Sequence, residues 1–403
     1  MNNKLSRLRV CSVVAATLFG LMTASTQAAT DSVKLGFLTD LSGLYSDSDG
    51  QGGLEAIRMA IDDFQGKVNG KPIELVYGDH QNKADIAASK AREWIDRDGV
   101  NGIIGGTNSA TALATNQIAA DKKIPYINVG AGADALTNEQ CTPFTVHYAY
   151  DTVALANGTG LAVTRAGGKT WYFLTADYAF GKALEKNTSE VVIANGGKVL
   201  GAVRHPLSAS DFSAFLLQAQ ASKAQVLGLA NAGGDAINSI KAAKEFGVSK
   251  TMKIAALLIF LTDIHSLGLD TAQGLVATDS WYWDKDADTR KWGQRYFAKM
   301  KKMPTSLQAA DYSAATTYLK AVQAAGTTDG VKVMEQLHKM KIDDMYAKGY
   351  VRADGSMIHD MYLLEVKKPS ESTGPWDLEK ITTTIPGEQA YGSKAVSRCA
   401  LWK

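Results

Sequence analysis

Two patterns of apolar residues alternate along the chain from about residue 33. Short runs rich in β-branched and aromatic residues, such as Val33 to Leu38, are followed by longer stretches in which apolar residues recur every three or four positions. Leu54, Ile57 and Ile61 show this second spacing, which is typical of the buried face of a helix. The alternation of strands with helices favours βαβ units and mainly parallel sheets.

The strand–helix alternation runs through the chain twice. Strands are predicted at residues 33–38, 72–77, 100–104, 124–129, 170–174, 198–203 and 225–229, followed by an apolar run at 254–261. Helices are predicted at residues 54–64, 86–95, 109–120, 181–194, 211–221 and 235–246. The later part changes order, with helices predicted at 286–301, 309–324 and 330–339 before strands at 349–351 and 361–366. Two α/β halves that share later elements predict two domains joined by several crossings, with a cleft at the hinge.

The first 28 residues have the three parts of an export signal. Lys4, Arg7 and Arg9 precede an apolar run at 13–22, and small residues ending at Ala28 follow it. The apolar run is too short to span a bilayer as a helix. We therefore expect cleavage near Ala28 and a soluble mature chain outside the cytoplasm.

The charge of the mature chain is close to balanced. The full sequence has 43 basic and 41 acidic residues, and three of the basic residues lie in the predicted signal. Neither nucleic acid nor an anionic membrane surface is therefore an expected partner.

Cysteine usage agrees with export. Of the three cysteines, Cys11 lies in the predicted signal, which leaves Cys141 and Cys399 in the mature chain. In an oxidising compartment a single pair of cysteines most often forms a disulfide, which here would tie the C-terminal tail to the body of the protein. Two unpaired buried thiols are the alternative.

Two glycine-containing segments imitate nucleotide-binding motifs. Gly168, Lys169 and Thr170 match the end of a phosphate-binding loop, but Val163 stands where such a loop has its first glycine, and the segment leads into a strand. Residues 130–135 fit a loose dinucleotide fingerprint, but no room is left for a full helix before Cys141. We therefore predict no nucleotide hydrolysis at the first segment and a tight turn at the second.

Signals of catalysis are missing elsewhere in the sequence. The six histidines show no metal-ligand spacing, and no Gly-x-Ser-x-Gly nucleophile motif occurs. We expect no enzymatic activity, no metal and no cofactor.

The remaining signals favour a binding site at the carboxyl ends of the strands. Open α/β sheets bind ligands at that edge, and N–H groups at a helix start favour an anion. The turns at Gly105, Gly130 and Thr175 follow predicted strands. The aromatic residues expected near these turns are Tyr45, Tyr148, Tyr150, Tyr178, Phe180, Trp281, Tyr282 and Trp283.

An ordered set of segments resembles the leucine/isoleucine/valine-binding type of periplasmic solute-binding protein. The segments are VKLGFLTDLSG at 33–43, IIGGTNS at 103–109, INVGAG at 127–132 and ADYAFG at 176–181. The resemblance spans essentially the whole mature chain and implies an α/β, two-lobed fold of type I, in which each lobe is a mostly parallel sheet flanked by helices. It also implies a monomeric periplasmic receptor that passes its solute to the permease subunits of an ABC importer.

The resemblance further implies three hinge crossings and a ligand that is enclosed when the lobes close. The first lobe would comprise residues 29–149 and 281–345. The second lobe would comprise residues 150–280 and 346–403. The crossings are expected near residues 148–152, 277–281 and 345–349.

Candidate ligand residues are assigned by position in the same resemblance. The turns at Thr107 to Ser109 and at Gly130 to Gly132 match those that hold a ligand carboxylate with N–H and hydroxyl donors. Phe180 matches a tyrosine of the second lobe, and residues near Ala232 and Gly233 match another position there. With nearby aromatic and apolar residues, the candidate ligand-binding residues are Tyr45, Thr107, Asn108, Ser109, Gly130, Ala131, Gly132, Tyr150, Tyr178, Phe180, Asn231, Leu257, Leu258, Tyr282 and Trp283.

One position departs from the amino-acid-binding members of this family. Where these have a glutamate that receives the ligand's ammonium group, the matching residue is Leu258. An ammonium group buried against leucine would lack a partner, at a cost of several kcal/mol. We therefore expect a small carboxylate with an apolar, aromatic body, in keeping with a resemblance, through DHQNKAD at 79–85, to a branch associated with benzoate- and phenylpropenoate-like acids. The alternatives are an amino-acid receptor of the same family and a ligand-sensing partner of a signalling receptor.

Overall fold

Two parallel β-sheets organise the part of the chain that the computed structural model describes, residues 32–403. In chain order the strands are β1 (Val33–Thr39), β2 (Lys67–Val68), β3 (Lys71–Asp79), β4 (Gly102–Gly105), β5 (Tyr126–Asn128), β6 (Thr145–His147), β7 (Thr170–Ala176), β8 (Lys198–His205), β9 (Val226–Ala230), β10 (Lys253–Ala256), β11 (Val276–Asp279), β12 (Lys341–Asp343), β13 (Lys348–Val351), β14 (Met357–Ile358), β15 (Met361–Val366) and β16 (Glu379–Ile385). The predicted export signal at 1–28 lies outside the described residues.

The α-helices lie between and after these strands. In chain order they are α1 (Gly50–Asp63), α2 (Ala84–Glu93), α3 (Ser109–Lys122), α4 (Thr152–Leu155), α5 (Leu161–Arg165), α6 (Ala179–Ala194), α7 (Ser213–Ala221), α8 (Gly233–Glu245), α9 (Leu261–Leu267), α10 (Leu269–Ala272), α11 (Ala287–Met300), α12 (Ser306–Ala325), α13 (Gly330–Lys339) and α14 (Gly387–Ala390). Turns of π-helix at 94–98 and 156–160 extend α2 and join α4 to α5. Short 3₁₀ turns lie at 134–137, 248–250, 369–371 and 394–396.

The first lobe is built on a six-stranded sheet with the order β2-β3-β1-β4-β5-β6. Apart from β2, which pairs antiparallel with β3, neighbouring strands are parallel. The central strand β1 buries Leu35, Phe37 and Leu38, as expected for a parallel strand that is covered by helices on both faces. The long helix α12 packs against α1 and so belongs to this lobe although it lies late in the sequence.

The second lobe is built on a four-stranded parallel sheet with the order β10-β9-β7-β8. An antiparallel sheet, β11-β15-β16, adjoins it through contacts between β10 and β11. A small sheet, β12-β13-β14, lies against the first lobe, where His147 and Ser356 form a bridge. The predicted fold class, two α/β lobes with mostly parallel sheets, is confirmed.

Most predicted elements are present, and the differences have local causes. The apolar run at 254–261 divides into β10 and the start of α9, because hydrophobicity alone does not separate a buried strand from a buried helix. The sequence pattern does not predict the helical stretch 152–165, because Gly158 and Gly160 interrupt the apolar periodicity of its sequence. It does not predict β16 either, whose alternation is weakened by three consecutive threonines.

Three chain passages join the lobes. The first leads from β6 to α4, the second from β11 to α11, and the third from β14 to β15. The third passage, at His359 and Asp360, lies later than the predicted 345–349, because residues 348–358 first pair with β12 and with each other. His359 Nε2 lies 3.0 Å from the carbonyl oxygen of Ala149, a contact that connects the third passage to the first. The division of the chain into lobes at the residues given above stays a prediction.

Cys141 and Cys399 form the predicted disulfide, which joins residues 258 positions apart in the sequence. The C-terminal tail therefore ends against the first lobe. Arg398 adds an ion pair there, with a distance of 3.1 Å to the carboxylate of Asp134. Among residues 32–403, no helix is long and apolar enough to cross a membrane.

Candidate functional site

A cavity lies between the two lobes, where the carboxyl ends of their parallel strands meet. Its walls are formed by Tyr45, Ser48, Thr107, Gly130, Tyr150, Tyr178, Phe180, Ala232, Leu258, Phe260 and Leu307. The segments after β1, β4 and β5 supply the first-lobe wall, and the segments after β7, β9 and β10 supply the second-lobe wall. Open α/β sheets bind ligands at this edge, which is where the sequence predicts the site.

The cavity is almost filled by its own side chains. The space that a water-sized sphere can occupy is about 10 Å³, which corresponds to roughly one water molecule. Tyr45 and Tyr178 meet across the cleft, with their hydroxyl oxygens 2.7 Å apart. A ligand that contains a ring therefore requires these side chains, and with them the two walls, to move apart.

The first-lobe wall is shaped by the glycine turn that follows β4. Gly105 and Gly106 have φ angles of 117° and 92°, a region that side chains disfavour and glycine tolerates. A Cβ atom at Gly105 would lie 2.6 Å from the carbonyl oxygen of Leu38. Asn108 then caps α3, because its Oδ1 accepts a hydrogen bond from the N–H of Ala110 at 2.8 Å. The turn thus places the start of α3 beside the cavity.

Several backbone donors in the first-lobe wall have no hydrogen-bond acceptor among residues 32–403. They are the N–H groups of Thr107, Asn108, Ala131 and Gly132. All four residues are buried. The hydroxyl oxygen of Ser109 accepts a hydrogen bond from the N–H of Ala133 at 3.2 Å, so the hydroxyl proton of Ser109 is available to a ligand. Converging donors beside a helix start favour an anion.

The second-lobe wall is uncharged. Phe180, Leu258 and Phe260 are buried in it, and none of the residues that line the cavity is Asp, Glu, Lys, Arg or His. The Tyr150 hydroxyl, at the first chain passage, donates to the carbonyl oxygen of Gly130 at 2.6 Å. The wall therefore suits an apolar ring and offers no carboxylate to an ammonium group.

Asp235 is an acidic residue close enough to affect the tyrosines of the cavity. Burial raises the pKa of Tyr45 well above its usual value, and the charge of Asp235 adds to the shift. Asp235 nevertheless does not line the cavity, and its Oδ2 accepts a hydrogen bond from the N–H of Ser208 at 3.1 Å. It does not take the place of the acid that is missing at Leu258.

The cavity brings together about half of the candidate ligand residues. Those that line it are Tyr45, Thr107, Gly130, Tyr150, Tyr178, Phe180 and Leu258. Asn108, Ser109, Ala131 and Gly132 lie directly beside it, in the two turns with free N–H groups.

The other four candidates are not among the residues that line the cavity. Asn231 Nδ2 donates to the hydroxyl oxygen of Ser239 at 3.0 Å, and Leu257 is buried. The Tyr282 hydroxyl oxygen accepts from the N–H of Glu379 at 3.3 Å. Trp283 Nε1 donates to the carbonyl oxygen of Trp376 at 3.0 Å, which holds it against the β15–β16 connection. For these four residues, ligand contact stays a prediction.

Ala232, which lies where the resemblance predicts a further ligand-binding position of the second lobe, also lines the cavity. Sequence reasoning does not select three of the lining residues, Ser48, Phe260 and Leu307. Ser48 has a local signal, since it lies three residues after Tyr45 and donates to the Tyr45 carbonyl oxygen at 2.9 Å. Leu307 has none, because the capping box that starts α12 shows where the helix begins but not which wall it reaches.

Two lobes, three passages and an enclosed cavity between them define a solute-binding protein. The chain belongs to the periplasmic binding protein family, whose model, described as "Periplasmic binding protein", matches residues 32–374. Proteins of this family are the substrate-binding components of ABC importers, and they are receptors for small molecules rather than enzymes. The family that the sequence resembles is therefore confirmed.

Solved structures agree with this membership. A periplasmic binding protein from Burkholderia mallei is 77% identical, with a TM-score of 0.92 over 93% of this chain and 100% of that chain. A branched chain amino acid ABC transporter periplasmic ligand-binding protein from Burkholderia xenovorans LB400 is 42% identical, with a TM-score of 0.82 over 92% and 100%. An ABC transporter solute-binding protein from R. palustris in complex with 4-hydroxybenzoate is 22% identical, with a TM-score of 0.81 over 89% and 98%. At that identity the likeness shows the fold alone.

A pair of buried carboxyl groups lies directly behind the first-lobe wall. Asp49 follows the cavity residue Ser48, and the Thr39 hydroxyl donates to its carboxylate. Asp311 of α12 lies next to Asp49, and a Cβ atom at Gly53 would collide with both carboxyl groups. Burial raises the pKa of Asp49, and it raises the pKa of Asp311 well above the usual range. Asp311 therefore keeps its proton at pH values where an exposed aspartate is ionised.

The raised pKa of Asp311 predicts how stability depends on pH. Its protonated form stabilises the fold fully below the unfolded-state pKa of about 4, and this stabilisation is lost as the pH rises from there through the folded-state pKa. We expect Asp311→Asn, a neutral group of similar shape, to flatten the decline of the free energy of unfolding above about pH 5 by up to about 1.4 kcal/mol per pH unit. Urea unfolding at each pH measures this slope.

The control for this measurement is Asp47→Asn, which changes an aspartate whose side chain is 82% exposed. It should leave the slope unchanged. Equal slopes for the unmodified protein and Asp311→Asn would show that Asp311 is ionised in the folded state.

Proposed function

We propose that this chain is the extracytoplasmic receptor of an ABC importer that captures a small carboxylate with an aromatic body. The observation that carries the proposal is the asymmetry of the cavity. Backbone donors without an acceptor lie in the two turns on the first-lobe side, while the opposite wall is uncharged and partly aromatic.

The first-lobe wall would hold the carboxylate. The N–H groups of Thr107, Asn108, Ala131 and Gly132 lack acceptors, and the Ser109 hydroxyl can donate alongside them. Hydrogen bonds to a charged group contribute about 1.5–3 kcal/mol each. A few of them are enough to orient a carboxylate and to favour it over a neutral group.

The second-lobe wall would hold the ring. Phe180, Leu258 and Phe260 offer buried apolar surface, and apolar burial contributes roughly 25 cal/mol per Å². Ring burial and carboxylate binding together can supply the about 8 kcal/mol of a micromolar complex. The hydroxyl groups of Tyr45 and Tyr178 offer partners to a ring hydroxyl.

The proposal includes the setting in which the receptor works. It is exported after cleavage near Ala28, acts in the periplasm as a monomer and delivers its ligand to the permease subunits of the importer. Family membership supports the location and the transport system.

A thermal-shift screen tests the ligand class. Benzoate, 4-hydroxybenzoate and cinnamate should raise the melting temperature, because each combines a carboxylate with an apolar body. Leucine, valine, phenylalanine and short aliphatic acids should not, since the cavity has no acid for an ammonium group and the aliphatic acids bury too little area.

Benzamide is the matched control for the carboxylate, since it keeps the ring and removes the charge. It should give no stabilisation. If leucine or valine stabilises the protein and no aromatic acid does, the argument from Leu258 is wrong and the amino-acid alternative stands.

Ser109→Ala tests the carboxylate clamp. Loss of a hydrogen bond to a charged group should weaken benzoate binding by about 1–3 kcal/mol, as measured by calorimetry. Ser189→Ala, on the outer helix α6, removes the same hydroxyl away from the cavity and should leave affinity unchanged. Unchanged affinity in Ser109→Ala would place the clamp elsewhere. The melting temperature without ligand separates this effect from the loss of the Ala133 contact.

A further inference from the structure

The C-terminal strap, residues 386–403, leaves the second lobe after β16 and runs alongside the first chain passage. Asn157 Nδ2, between α4 and α5, donates to the carbonyl oxygen of Ala390 at 2.8 Å. The Tyr391 hydroxyl donates to the carbonyl oxygen of Ala149 at 3.3 Å. These contacts fix the beginning of the strap to the second lobe and to the passage.

The end of the strap is fixed to the first lobe. The N–H of Arg398 donates to Asn138 Oδ1 at 3.0 Å, and the guanidinium group of Arg398 pairs with Asp134 at 3.1 Å. Cys399 is bonded to Cys141 next to these contacts. The strap is therefore a fourth connection between the lobes, in addition to the three passages.

The disulfide is the only covalent part of the first-lobe attachment among the described residues. Arg398 is 43% exposed in its ion pairs, and exposed ion pairs are individually weak. About nine residues separate the attachment at Ala390 from Cys399, and they span at most roughly 30 Å when fully extended. With the disulfide intact, the two anchors cannot move farther apart than that length.

The first-lobe segment to which the disulfide attaches the strap also contains one of the two candidate ligand-binding turns. Ala131 and Gly132, whose N–H groups are free, precede the 3₁₀ turn 134–137. Cys141 lies four residues after that turn. Tension in the strap would therefore act next to the first-lobe wall of the cavity.

We propose that the strap, through the Cys141–Cys399 disulfide, is a tether that limits how far the lobes open. It narrows the range of open geometries and so raises the fraction of molecules in which both walls are close enough to contact one ligand. Apparent affinity scales with that fraction. The tether depends on lobe movement and does not require the ligand to be an aromatic acid.

The test compares the unmodified protein with Cys141→Ser/Cys399→Ser by small-angle X-ray scattering without ligand. The radius of gyration should rise by about 1 Å in the double variant, from roughly 21 Å for a compact chain of this size. Benzoate affinity, measured by calorimetry, should weaken by about three- to tenfold. Val396→Ala, a change at a 63% exposed residue of the strap that keeps both cysteines, should behave as the unmodified protein.

The outcomes separate the tether from the ligand proposal. If benzoate does not bind the unmodified protein, the scattering comparison alone tests whether the strap limits lobe opening. Superimposable scattering profiles would overturn it, and a lower melting temperature with unchanged scattering would show that the disulfide serves stability alone. If the double variant does not fold, reduction of the folded protein, with native near-UV circular dichroism as the check, provides the same comparison.

Discussion

Backbone N–H groups that are buried without an acceptor set the energetics of this cleft. Each such group costs about 1–3 kcal/mol when it loses water and gains no partner. Thr107, Asn108, Ala131 and Gly132 present four of them on one wall. A carboxylate can accept from several of these donors at once, so closure of the lobes and capture of an anion are favoured together.

The second lobe determines which anion fits. A charged residue at Leu258 would need an opposite charge on the ligand, as an acid does with the ammonium of an amino acid. Leu258, Phe180 and Phe260 need no opposite charge, and they would exclude water from the far end of the proposed ligand. The direct contact between the Tyr45 and Tyr178 hydroxyls leaves a polar position at this otherwise apolar end.

The sequence predicts the features whose causes are local. Parallel strands are visible because they are buried along their length, and the turn at Gly105 and Gly106 is visible because its backbone conformation favours glycine. The resemblance, rather than a local pattern, assigns Thr107 and Leu258 to the site, and both residues line the cavity.

The positions of the other site residues depend on long-range packing, which the sequence does not show. Leu307 reaches the cavity only because α12 packs back on α1, and nothing near Leu307 in the sequence shows this. Asn231 follows a strand as the other site residues do, but its amide turns toward Ser239. Trp283 lies on a passage between the lobes, where the direction of a side chain depends on the path of the whole crossing, and it turns to Trp376.

The same donors explain why a ligand favours closure. Hydrogen bonds that join the two cavity walls across the cleft include one between Tyr45 and Tyr178 and one from the N–H of Gly234 to the carbonyl oxygen of Leu44 at 3.4 Å. A hydrogen bond contributes about 0.5–1.5 kcal/mol net, whereas each buried donor without an acceptor costs about 1–3 kcal/mol. A carboxylate at the first-lobe wall would give these donors an acceptor and so remove part of that cost. If the proposed function is correct, affinity and closure depend on one set of contacts, and a solute that cannot satisfy those N–H groups would be rejected even if its ring fitted.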